Sequence, residues 1–143
     1  MDYTNPREVR SPKVNITNLE PIVDKGIWDY SVALLDWDKK PRLAMRWNGG
    51  KGEDGKIHPG NPQSRGLPTW FLIPENYDLA FLKAINEKGD LGGEEIDVNK
   101  AKETVNRFLS KKLPSEIEIV RDDSGLEKII VNILMKLKEE GKI

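Results

Sequence analysis

Apolar and polar positions alternate in the first half of the chain and recur at helical spacing in the second. Between Ile27 and Trp37 the run IWDYSVALLDW is rich in aromatic and aliphatic residues. RLAMRW, from Arg42 to Trp47, follows it across a polar connection, Asp38 to Pro41. Two such runs joined by a proline-containing link predict a β-hairpin. Residues 1–26 hold three prolines and scattered charge, and only Lys13 to Thr17 alternates enough for one short strand. Pro68 to Ile73, PTWFLI, is short and almost wholly apolar. That pattern predicts a strand buried on both faces, in the middle of the sheet or under helices.

Beyond Pro74 the period changes. Pro74 stands where a first-turn proline is tolerated, Glu75 and Asp78 suit the positive end of a helix, and Gly89 marks its stop. Tyr77, Phe81, Leu82 and Ile85 lie on the apolar face of this helix. After the turn-forming GDLGGEE stretch, Asp97 is placed to cap a second helix. Val98, Ala101, Val105, Phe108 and Leu109 recur at helical spacing along it until Leu113-Pro114 ends it. Ser115 to Arg121 alternates as a half-exposed strand, suited to a sheet edge. Ser124 and Glu127 then form a capping box ahead of Leu126, Ile129, Ile130, Ile133, Leu134 and Leu137, with Gly141 near the end. This apolar stripe is wide enough to cover a sheet, and the mixed charges opposite it read as a solvated face. The whole predicts one α+β domain over 1–143: a mainly antiparallel sheet of about four to five strands with three helices packed on one face.

Composition narrows the functional classes. The chain has no cysteine, which removes disulfides, thiolate zinc sites and a cysteine nucleophile. It carries 23 basic and 24 acidic residues, so affinity for a polyanion has to come from a local patch rather than a global field. No signal-peptide order and no run of membrane-spanning length appear, so the expectation is a cytoplasmic protein without a membrane partner.

The long Gly/Pro-rich loop, residues 48–67, is where function is expected. From Arg46 to Phe71 the sequence packs six of the twelve glycines and three of the nine prolines between two tryptophans. Gly49 to Gly55, with Lys51 and Lys56, can turn backbone N–H groups toward an anion. Its spacing is neither that of a P-loop nor that of a dinucleotide fingerprint, and Glu53 and Asp54 offset the two lysines. The following stretch, His58 to Gly66, is stiffened by Pro59 and Pro62 and carries hydrogen-bonding side chains. Here Arg65 offers a planar fork for phosphate or carboxylate, Asn61 and Gln63 offer amide edges, and Ser64 adds a hydroxyl. Arg46 and Asn48 join them if the flanking strands are adjacent, and Trp47 and Trp70 offer flat faces for a base or a cation. The competing reading makes both tryptophans core residues and lets the polar loop satisfy its own backbone. His58, the single histidine, reads as a solvated loop side chain.

The ligand-binding candidates are therefore Arg46, Trp47, Asn48, Asn61, Gln63, Ser64, Arg65 and Trp70, with no cofactor, no metal and no catalytic residue assigned. The reading is a binding protein that recognises a phosphate-bearing partner, nucleic acid or nucleotide. A protein-interaction module using the same loop is the alternative from another class. A third reading is a metal-dependent nuclease or phosphoesterase built on Asp36 and Asp38, two residues apart at a strand end, with Asp29 upstream. It lacks an evident further ligand, and both carboxylates suit a hairpin end instead.

Overall fold

The computed structural model describes residues 1–112. The expected strand over 115–121 and helix over 124–141 lie outside the described residues. Within them the architecture is α+β, with one four-stranded antiparallel sheet and two α-helices. The sheet order is β1-β2-β3-β8, formed by Ile16–Asp24, Tyr30–Trp37, Lys40–Trp47 and Phe71–Leu72.

The second strand explains the layering. Ser31 to Leu35 are all buried, and their alternation divides them between two cores. Val32 and Leu34 meet Ile22, Val23 and Leu43 of the neighbouring strands, together with residues from both helices. Ala33 and Leu35 face the opposite side, where Val9, Ile16, Leu19, Ala44 and Trp70 gather. One face of the sheet is thus covered by helices and the other by the N-terminal segment and Trp70.

The predicted hairpin is β2-β3, paired without interruption from Tyr30 opposite Trp47 to Trp37 opposite Lys40. Its connection is shorter than the sequence suggested. Only Asp38 and Lys39 turn, both at positive φ (49° and 67°), and Pro41 is already inside β3. Positive φ at both central residues is the twist that lets a two-residue loop join antiparallel strands.

β1 departs further from expectation, running from Ile16 through Pro21 to Asp24. Its register shifts between Thr17 and Glu20, and again between Pro21 and Val23. The first irregularity contains Asn18 at φ 51°, so Ile16 and Leu19 share a face although three apart. The second lets Ile22 and Val23 enter the same core. Bulges of this kind erase the period of two that marks a strand in sequence.

The strand expected over Pro68 to Ile73 is also corrected. Among the described residues only Phe71 and Leu72 pair, with Met45 and Ala44, and their strand stands at the edge of the four rather than in the middle. Phe71 is exposed, so the strand is not buried on both faces.

Helix α1, Asp78–Glu87, follows a 3-10 turn at Glu75–Tyr77, so Pro74 precedes that turn rather than standing in the first turn of α1, and Tyr77, expected on the apolar face, lies outside the helix and is exposed. It ends where Gly89, at φ 69°, donates to Asn86 O and Asp90 donates to Ile85 O, the paired bonds of a glycine-terminated helix. Asp97 caps α2, Val98–Lys112, by accepting from the Lys100 amide at 3.0 Å. The buried face of α2 is Ala101, Thr104, Val105, Phe108 and Leu109, spaced as a helix requires. Between the helices Gly92 bonds the edge of β1, its amide to Ile22 O and its carbonyl to the Asp24 amide. Among the described residues no helix is long and apolar enough to cross a membrane.

Candidate functional site

The segment between β3 and β8 is not featureless loop. It folds as two small hairpins, β4-β5 (Gly50–Lys51 with Ile57–His58) and β6-β7 (Gln63–Ser64 with Leu67–Pro68). Arg65 and Gly66 form the tip of the second, both at positive φ. The two hairpins flank the end of the main sheet where β3 runs out at Trp47.

Glycines make that junction possible at two positions. A Cβ on Gly49 would lie 1.9 Å from His58 O, and one on Gly60 would lie 2.0 Å from Trp47 O. Both residues also have positive φ, 72° and 75°. The backbones therefore touch there as only glycine allows. Trp47 and Asn61 exchange N–H···O bonds of 2.7 and 3.2 Å across the same junction.

The outcome is a cleft of about 520 Å³, within the usual size for a small-ligand site. Trp28 and Trp47 stand on its walls, and His58, Asn61 and Gln63 supply its polar side chains over Gly49 and Gly60. Trp28 is 57% and Trp47 54% exposed. Neither ring is loosely held. The Trp28 amide donates to Gly49 O at 2.8 Å, its indole lies against Gly50, and its ring centroid is 6.1 Å from that of His58. Trp47 meets Tyr30 edge-on at 6.3 Å. In turn the Tyr30 hydroxyl donates to Asp90 at 2.8 Å; burial, then this carboxylate, push the phenol up to about 12.

Below the cleft lies a buried polar cluster. Asn48 donates to Gly26 O at 2.8 Å and to Asp24 at 3.2 Å, and accepts from Ser31 at 2.7 Å. The Tyr3 hydroxyl donates to the other oxygen of Asp24 at 2.7 Å, and burial together with this contact raises the Tyr3 phenol pKa. These bonds fix the Asp24 to Asp29 turn that presents Trp28.

The expected ligand residues therefore separate. Trp47, Asn61 and Gln63 come together in the cleft. Ser64 and Arg65 are exposed on the second hairpin, outside the cleft lining. Arg46 is 1% exposed and its guanidinium is committed to backbone, donating to Thr69 O at 2.8 Å and to Pro59 O. It ties both ends of the 59–69 segment to β3. With no carboxylate bonded to it, burial draws its pKa down to about 10. Asn48 is fully buried in the polar cluster, and Trp70 is 6% exposed with its indole N–H on Val9 O at 2.7 Å. These three support the site from beneath rather than line it.

Two lining side chains escaped the sequence reading. Trp28 sat inside an apolar run assigned to a strand, and the signal against that was Gly26 just before it. His58 is exposed, as its loop position suggests, and its ring also lines the cleft beside Trp28. Asp36 and Asp38 are each taken up by an amide, from Asn18 and Asn15, both at 2.7 Å. No group of three or more His, Cys, Asp or Glu among the described residues is arranged to hold a metal ion.

Comparison with protein-family models, with curated proteins and with solved structures finds no match for this chain.

Proposed function

We propose that this protein is a binding module whose cleft between Trp28 and Trp47 seats an unpaired base of a nucleotide or single-stranded nucleic acid. The observation that carries the reading is the pair of half-exposed, well-anchored indoles on the walls of one ligand-sized cleft. Aromatic faces hold bases of any sequence by stacking. The Asn61 amide, the Gln63 side-chain oxygen and the His58 imidazole supply hydrogen-bonding groups for a base edge, while the Gln63 amide nitrogen donates to Gly60 O at 2.8 Å. Charged residues are carried on the same elements: Lys51 and Lys56, with Glu53 and Asp54 between them, belong to the hairpin of His58, and Arg65 tips the hairpin of Gln63. Phosphates would lie there. Stacking rather than an arginine clamp is then the main source of affinity, since Arg46 is spent on the backbone. A cysteine-free chain suits a cytoplasmic setting for this role.

The test is titration of intrinsic tryptophan fluorescence with single-stranded and duplex oligonucleotides at low salt. Binding of the single strand, weakened about tenfold or more by Trp28→Ala and by Trp47→Ala, is expected. Unchanged emission with every oligonucleotide would remove the reading. A specific observation favours the protein-partner alternative in that event: Ile57, Leu67 and Phe71 are also exposed on these elements, and such side chains suit an interface core.

A further inference from the structure

Trp47 borders more than one space. Adjoining the first cleft lies a second concavity of about 310 Å³, lined by Met45, Arg46, Trp47, Asn61, Pro62 and Phe71 but not by Trp28. Trp47 and Asn61 line both spaces, and the paired backbone bonds between them make the dividing wall a fixed part of the fold. Phe71 stands directly opposite Met45 in the sheet register and is 56% exposed. The second space shares Trp47 and Asn61 with the first and adds an exposed aromatic ring of its own, Phe71, beside Met45 and Pro62.

We infer that the two concavities are neighbouring seats for successive bases of one strand, so that the recognised unit is at least a dinucleotide. This rests on the base-stacking reading of the first cleft. The distribution of charge fits it. Arg46 is the single charged residue among those lining the second space; its two terminal nitrogens donate to Thr69 O and Pro59 O, and its Nε is buried without a partner among the described residues. The seats therefore offer rings and amides to uncharged bases, while the cations available to the charged linkage stand outside, on the hairpins at Lys51, Lys56 and Arg65.

The experiment compares thymidine monophosphate, dithymidylate and tetrathymidylate by tryptophan fluorescence, using wild type, Phe71→Ala and Phe71→Trp. Phe71 bonds the sheet through its backbone, and an unchanged far-ultraviolet circular dichroism spectrum checks that each variant folds. The dinucleotide is expected to bind wild type at least about tenfold tighter than the mononucleotide, the gain of one stacked base. Phe71→Ala should abolish that step and leave mononucleotide binding unaltered, and Phe71→Trp should restore it. Equal affinity for mono- and dinucleotide, or a step that survives Phe71→Ala, overturns the two-seat inference while leaving the first cleft intact. Failure of wild type to bind any of the three overturns the base-stacking reading itself, and the two-seat inference with it.

Discussion

Asp78 opens helix α1 with only 2% of its surface exposed and neither carboxylate oxygen hydrogen-bonded among the described residues. Lys112 Nζ approaches to 3.5 Å but also serves Glu75 at 3.1 Å, while Arg42 stands 3.7 Å from Glu75. Burial outweighs these cations and lifts the Asp78 pKa from 3.8 to about 6. The folded protein therefore holds this proton more tightly than the unfolded chain. Its contribution to stability is complete below about pH 4 and is lost as pH rises through about 6, a difference of about 3 kcal/mol at most. Thermal unfolding of Asp78→Asn should show a gain over wild type at pH 8 that shrinks at pH 4. A gain that does not vary with pH would contradict the assignment. At the same scale, Gly49→Ala and Gly60→Ala each force a Cβ into backbone oxygen, and both should cost about 2 kcal/mol or more in urea unfolding. These two glycines were visible in the sequence only as loop formers, because composition does not show which backbone they touch.

Elements with an undisturbed period were legible: the β2-β3 hairpin, α1 with its glycine stop, and α2 with Asp97 as cap. β1 was not, because its two register shifts place Ile16 and Leu19 on one face and Ile22 and Val23 on the other at spacings no strand pattern contains. The β2-β3 turn holds Asp38 and Lys39 in the left-handed region, where glycine and asparagine are most at ease. Combining Asp38→Asn with Lys39→Gly should raise stability by about 1 kcal/mol in chemical denaturation. Arg46 acts on a larger piece, since its bonds to Pro59 O and Thr69 O clasp everything between them. Arg46→Leu should leave amide protection in β1 and β2 unchanged and increase hydrogen exchange across 59–69, measured by mass spectrometry.

At the scale of the molecule the site was half legible. Gly/Pro density marks the segment, and Trp47, Asn61 and Gln63, grouped from the sequence, line one cleft. Arg46, Asn48 and Trp70 lie beneath it because side-chain direction depends on a backbone path that local sequence does not encode. Without Arg46 in the ligand shell, single-strand binding should depend only shallowly on salt. With one to three phosphate contacts, from Lys51, Lys56 and Arg65, log K should fall against log salt with a slope between about −0.7 and −2.1. A steeper slope would signal a cationic surface that the cleft and its hairpins do not provide. The N-terminal segment has a consequence of another kind. Thr4 donates to Asn48 O, and Val9, wholly buried, accepts the indole N–H of Trp70 sixty-one residues later. On a ribosome Val9 emerges long before Trp70 exists, so the second core cannot close while the chain is short. Val9 is buried only once Trp70, and the β2 and β3 residues that share its core, have been made.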